Sequence, residues 1–394
     1  MKRGMARDGA EDAARWLSGQ TPALERALAQ LVEVNSFTDN AAGGREVGRL
    51  LREQWRLPGL AAEVVASQRF ADHLVFRSAG DARRPPVALV GHLDTVFPPG
   101  KFEGYRVDGE LRRGPGTLDM KGGLVVIGAA LRALAETVGL ERVPPLRIVV
   151  VADEEVGSPE GQEVIRAACQ GCSAALVFES GRAQDAIITR RKGTGSMEAV
   201  ATGKAAHSGN HHAEGANAIW AVARFVDRIQ QLTDYPRGVT INVGKVLGGQ
   251  GKNTVPDHAE AHIDLRFCTR ADGEALVERV RAAAVESAGS VPGTRITLSG
   301  GVTRDPLERS VASAALMEAY AACARASGLG GSEAALIGGA SDASTTSSLG
   351  IPSIDGLGPR GKGFHTVEEH IEVGTLVPKA QALARFLAGA RPRA

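Results

Sequence analysis

The feature that most constrains this chain is a set of short apolar, mostly β-branched runs that stop on acidic or histidine residues. They are PPVALVGHLDTV, LRIVVVADEE and AALVFES. Runs of this kind read as buried strands. Between them stand GGLVVIGAALRALAETV and GQEVIRAACQG, whose apolar positions recur at helical spacing. Alternation of strand and helix predicts an α/β fold with a mostly parallel sheet and helices on both faces. One run ends on three consecutive carboxylates, Asp153, Glu154 and Glu155. Like charges repel and are costly to desolvate at the mouth of an apolar strand, so positive charge is expected to meet them there.

A chain of 394 residues is longer than one core usually supports, which predicts two domains. Lys and Arg number 46 and Asp and Glu 45, so no global charge draws the chain to nucleic acid or an anionic membrane. No stretch approaches the roughly 18 apolar residues of a membrane span. The opening MKRGMARDGAEDAARW is charged without an apolar core, so no secretory signal is expected and a cytoplasmic location is. Four cysteines are too few for a disulfide framework, and the Cys169–Cys172 pair in CQGC reads as chance spacing at a helix end rather than a redox motif.

From about residue 192 the texture changes. GTGSMEAVATGKAAHSG alternates like a half-exposed strand, and the amphipathic helix NAIWAVARFVDRIQQL follows. Two further strand-like runs, GVTINVGKVLGG and AEAHIDLRFCT, precede the helical DGEALVERVRAAAVES. This predicts an α+β domain over 192–303, inserted into a larger domain formed by 1–191 and 304–394. Hinges are expected near Lys192–Gly193 and Arg304–Asp305, where the chain crosses between them.

Ligands of parallel α/β sheets bind beyond the carboxyl ends of the strands. There GHLDTV places His92 and Asp94, two residues apart on an extended segment and therefore facing the same way. GPGTLDMKGG puts Asp119 after a glycine-rich turn, ADEE delivers Glu154 and Glu155, FES ends on Glu179, and GKGFHTVEEH places His365 among glycines. Singly, an Asp at a helix start reads as a cap, a His after a strand as a hydrogen-bonded structural residue, and adjacent Glu residues as solvated. Jointly they fall at strand ends, and their convergence predicts bound cations, two Zn²⁺.

The motifs GHLDTV, GPGTLDMKGG, ADEEVGS, FES and GGASDA…GFHT, in that order, resemble the M20 family of metallopeptidases. They are most similar to its glutamate carboxypeptidase and acetylornithine deacetylase-like branch, over nearly the whole chain. The resemblance implies a zinc-exopeptidase-like catalytic domain with an inserted lid and dimerisation domain. It implies that His92 and Glu179 hold one metal, Glu155 and His365 the other, and that Asp119 bridges them. Asp94 would orient His92, and Glu154 would be the general base. The nitrogen and oxygen ligand set suits Zn²⁺, with Co²⁺ or Mn²⁺ able to substitute. His207 matches a histidine that reaches the partner's active site in dimeric relatives and stabilises an oxyanion. Asn253 and Arg266 match residues that bind a substrate carboxylate, a task suited to the guanidinium fork.

Two departures stand out. HHAEG replaces the family's usual Pro-Glu after the His207 motif, and His211 and His212 read as channel or solvated histidines rather than an extra metal site. In GGASDA, beside Gly339, Ala340 stands where some carboxypeptidases have a third glycine. That leaves less room at its backbone N–H for a substrate carboxylate and argues against glutamate specificity. The functional expectation is a homodimeric amide hydrolase that releases a C-terminal amino acid from a small peptide. The Glu in FES, where some branches have Asp, favours this carboxypeptidase version. The alternatives are an N-acyl-amino-acid deacylase and a non-catalytic peptide-binding protein. The presence of every ligand position and of Glu154 weighs against the last.

Overall fold

The apolar runs form the middle of a six-stranded sheet in the computed structural model, which describes residues 2–389 and side chains from residue 9 onward. Part of the charged amino-terminal stretch read above therefore lies outside the described residues. The chain forms two units: one comprises 1–190, 309–336 and 341–394, the other 191–308 and 337–340.

In the first unit the sheet runs, in spatial order, Leu60–Val65, His73–Ser78, Leu146–Val151, Val87–His92, Ala174–Val177 and Ser353–Ile354. The last four strands are parallel. Their near-continuous burial fits a sheet covered on both faces. The first two strands are antiparallel to their neighbours, a feature the apolar runs did not announce. Only a short loop, residues 66–72, joins them, and a parallel pair would need a longer crossover.

Register decides what the strand ends deliver. His92 lies opposite Val151, and Val90 opposite Val177. The chain therefore emits His92, the 153–155 acids and Glu179 at nearly one level. The helices gather in two groups. Lys2–Leu17, Thr21–Val32, Gly122–Thr137 and Leu376–Gly389 pack together, while Gly161–Cys169 and Ala343–Ser348 pack with each other against Leu146–Val151 and Ala174–Val177. A second, antiparallel sheet of four short strands orders Gly361–Lys362, His370–Glu372, Leu111–Arg113 and Arg106–Asp108. The sequence reading did not foresee it. Its first pair brackets the loop that carries His365.

The second unit is an antiparallel sheet of Thr240–Gly248, His258–Phe267, Gly193–Thr202 and Arg295–Arg304. Burial alternates along Gly193–Thr202 and His258–Phe267. The inward set, including Met197, Ala199, Ile263, Leu265 and Phe267, packs with Val222 and Phe225 of the helix Ala218–Gln230 and with Leu276 and Val280 of Arg270–Gly289. Asn217 and Thr269 cap these helices through side-chain oxygens that accept the N–H of Trp220 and Asp272. Residues 337–340 join this unit through Lys192, whose N–H donates to Ile337 O at 2.9 Å, and Arg191, whose Nη1 donates to Gly339 O at 3.1 Å. Among the described residues no helix is long and apolar enough to cross a membrane.

Candidate metal centre

His92 ends its strand with its ring fully buried. Its Nδ1 lies 3.1 Å from the carbonyl oxygen of Asp94 and 3.3 Å from that residue's Oδ1. A carbonyl can only accept, so Nδ1 donates there, and Nε2 is the ring nitrogen left to face the site. That nitrogen faces Asp119 Oδ1 at 3.4 Å and Glu179 Oε1 at 3.7 Å.

The three consecutive acids divide their labour. Asp153 is fully buried and turns back into the fold, where its Oδ2 accepts the N–H groups of Glu160 at 2.8 Å and Gly161 at 3.0 Å. A Cβ on Gly161 would stand 2.4 Å from Asp153 Oδ1, so only glycine fits the approach. Glu154 and Glu155 stay at the sheet edge, held there by Asp94. Its Oδ1 accepts the N–H of Glu154 and its Oδ2 that of Glu155, each at 3.2 Å. The Thr38 hydroxyl donates to the same Oδ2 at 2.8 Å.

Asp119 sits in the turn Thr117–Lys121, entered through Gly116 at φ +77°, and the Asp119–Met120 peptide is cis. Its two oxygens point to opposite sides: Oδ1 lies 3.4 Å from His92 Nε2, and Oδ2 lies 3.4 Å from His365 Nε2. His365 Nε2 is also 3.0 Å from Glu155 Oε2. The segments that lead out of Glu179 and into His365 are zipped together. Gly358 N donates to Glu179 O at 2.9 Å, Gly181 N to Pro359 O at 3.0 Å, and Arg360 Nη1 to Asp185 Oδ2 at 2.6 Å.

One oxygen or nitrogen from each of His92, Glu154 and Glu179 lies within 4.8 Å of the others, and the same holds for His92, Asp119 and Glu155. Among the described residues, His92 Nε2, Asp119 Oδ1 and Glu179 Oε1 are buried with no hydrogen-bond partner. Buried polar atoms are normally satisfied. Converging orphans on a nitrogen and two carboxylates therefore fit cations bound between them.

The protonation of the metal-free cluster agrees. Burial pushes the Glu155 carboxyl up to about 7, with Asp119 and Glu154 adding to the rise and His365 opposing it. Burial raises Glu179 well above the carboxylate range too. Asp119 goes the other way: burial would raise it, but the His365 and His92 rings outweigh that and hold it far below. Hydrogen bonds to Asp119 and Glu155 lift the His365 ring to about 10. The cluster thus holds protons where cations would sit.

The remaining anticipated residues lie in the inserted unit. The strand Ala206–His207 pairs with Thr254–Val255, and Ser208 N donates to Asn253 O at 3.0 Å, so His207 and Asn253 share one ribbon. The N–H groups of Gly209 and Asn210 donate to His207 Nδ1 at 3.1 and 3.2 Å, which puts the ring proton on Nε2 as an exposed donor. The Arg266 fork engages Asp264 in two hydrogen bonds, Nε to Oδ2 at 2.9 Å and Nη2 to Oδ1 at 3.0 Å. His211 pairs with Glu214 at 2.9 Å, both exposed. Gly339 and Ala340, expected in the catalytic domain, lie in the segment that joins the inserted unit. Cys169 and Cys172 are buried thiols, and burial raises both, Cys172 to about 11, which leaves them inert at neutral pH.

Sequence reasoning missed Thr38, the second task of Asp94, and two fully buried groups behind Asp119. Lys121 Nζ donates to Val34 O at 2.9 Å, and burial lowers its amine to about 7. Glu369 Oε1 accepts the N–H groups of Leu118 at 2.9 Å and Asp119 at 3.0 Å. Burial raises the Glu369 carboxyl to about 8. Nothing in VEEH marks one of its two glutamates as buried.

Residues 189–291 match the M20 peptidase dimerisation domain. The chain is 25% identical over 378 residues to carboxypeptidase G2 of Pseudomonas sp. strain RS-16, covering 93% of this chain and 89% of that one. It is 30% identical over 267 residues to the acetylornithine deacetylase of Myxococcus xanthus, 61% of this chain and 66% of that one. Its fold is similar to that of the aminopeptidase PepT from Bacillus cereus, with a TM-score of 0.78 at 21% identity, covering 93% of this chain and 98% of the other.

Proposed function

We propose that this chain, an M20-type metallopeptidase, uses two divalent cations to hydrolyse an amide bond and release a C-terminal amino acid with a free carboxylate. One observation carries the dinuclear reading: a single carboxylate, Asp119, offers Oδ1 to the His92 side and Oδ2 to the His365 side. In this reading His92 and Glu179 hold one cation, Glu155 and His365 the other, and Asp119 both. The donor set suits Zn²⁺. When bound, such a pair lowers the pKa of water and polarises the scissile carbonyl.

The chain's own groups do the rest. Asp94 fixes the His92 tautomer and holds the Glu154–Glu155 turn in place. Glu154, beside His92 and Glu179, takes the proton of the attacking water and delivers it to the leaving amine. His207, with its Nε2–H exposed, is proposed to stabilise the oxyanion in the partner of a homodimer. Asn253 and Arg266, with the Gly339 and Ala340 backbone, would recognise the substrate carboxylate. Arg266 keeps one nitrogen beyond the two that Asp264 engages.

Similarity to an acetylornithine deacetylase favours a second version in which a small N-acyl amino acid is the substrate. One experiment tests both. Chelator-treated protein is reloaded with Zn²⁺ or Co²⁺ and assayed for amino acid release from dipeptides, N-acyl amino acids and aroyl amides. Chelator-sensitive release is expected, and the reactive substrates separate carboxypeptidase from deacylase. Silence across the panel from folded protein with two metals bound would count against both versions.

A further inference from the structure

We infer that Glu369 is a positioning residue that holds the bridging carboxylate and the His365 loop in register. The inference rests on the metal-centre reading of Asp119 and His365 given above. Glu369 is fully buried, and its Oε1 accepts the backbone N–H groups of both Leu118 and Asp119. Asp119 must present one oxygen to each side of the site, so a small rotation of its backbone displaces both oxygens at once. Fixing its amide fixes that rotation.

The main chain of Glu369 closes the other side. Thr366 N donates to Gly363 O at 3.0 Å and Glu369 N to Thr366 O at 3.1 Å, so the loop folds back directly after His365. Gly114 N, just upstream of the Asp119 turn, donates to Glu369 O at 3.4 Å. Between these contacts His365 adopts φ +62°. A non-glycine residue keeps that conformation only where its surroundings over-determine it. One residue therefore ties the two segments together, by its side chain to Asp119 and by its backbone to the loop of His365. The part of the side chain that matters is an acceptor at that reach. Gln keeps an acceptor oxygen at the same reach and so preserves the bonds from the Leu118 and Asp119 amides.

The test compares Glu369→Gln, which keeps the acceptor, with Glu369→Met, which keeps the volume and loses it. Metal-free proteins are checked by circular dichroism and titrated with Co²⁺, followed by visible absorption and calorimetry. The Gln protein is expected to bind two Co²⁺ within about threefold of the unsubstituted affinity. The Met protein is expected to fold yet lose about 10- to 100-fold in affinity, the range for partners that orient ligands from behind. Two Co²⁺ bound by the Met protein at unchanged affinity would overturn the inference, as would a Gln protein that loses as much as Met. A Met protein that cannot fold while Gln does would assign Glu369 a purely structural role and overturn it too. Fewer than two Co²⁺ bound by the unsubstituted protein would instead overturn the dinuclear reading.

Discussion

At the scale of single residues, the carboxylate of Asp94 reaches further than the ring it was expected to orient. Its oxygens accept the amides of Glu154 and Glu155, so one side chain fixes a proposed ligand on one strand and the proposed base and second ligand after the next. The base is the first residue to test. Glu154→Gln should leave fold and metal content intact while turnover drops by about a hundredfold or more. Unchanged turnover would remove Glu154 from that role. The protons held by the metal-free cluster give a second prediction. His365 at about 10 and Glu155 at about 7 must both be deprotonated to ligate. Metal uptake at neutral pH should therefore release protons, and affinity should rise at least about tenfold per unit between roughly pH 7 and 9 as the protons held by the ligands become easier to expel. Calorimetry in buffers of different protonation enthalpy measures the release, and a heat independent of buffer would contradict it. Of the proposed ligands, His92, Glu155 and Glu179 were legible in sequence because they stand at or just past the ends of apolar runs, while Asp119 and His365 were marked by the glycines around them. Glu369 and Lys121 were not, because burial of a charged residue depends on what packs around it in three dimensions.

At the scale of elements, the site depends on how closely the helix after Asp119 approaches the strand before Glu179. Gly123 makes that approach possible: a Cβ there would stand 2.1 Å from the backbone oxygen of Phe178. Backbone cannot swing aside as a side-chain tip can. Gly123→Ala should therefore cost roughly 1–3 kcal/mol of stability, as overpacking does, and weaken metal binding by parting Asp119 from Glu179. Chemical denaturation and Co²⁺ titration of the same protein would show both losses, and full metal affinity in the variant would refute the link. The central parallel strands and their helices were readable because apolar runs and helical periodicity are local signals. The antiparallel edge and the small sheet around His365 were not. Leu60–Val65 is mostly exposed and offers no buried run, while the strands of the small sheet, such as Arg106–Asp108 and Gly361–Lys362, are two or three residues long and its two hairpins are joined by the distant pair Leu111–Arg113 and His370–Glu372.

At the scale of the whole molecule, the match of residues 189–291 to the M20 peptidase dimerisation domain supports the proposed homodimer. If the proposed role of His207 is served across that dimer, mixing inactive His207→Ala and Glu154→Ala proteins should restore part of the activity through hybrids. No recovery despite demonstrated subunit exchange would place His207 outside the partner's chemistry. The sequence suggested that the chain leaves the catalytic domain once and returns once. Contacts instead group residues 337–340 with the inserted unit, after the chain has already rejoined the catalytic unit at residue 309. During synthesis on the ribosome, the bonds from the Lys192 amide and the Arg191 guanidinium to Ile337 and Gly339 must then wait for those residues to emerge. Neither unit can mature before the other has begun, so the two are interleaved in the order of translation, and excision of the insertion alone would strand its final piece in the wrong body.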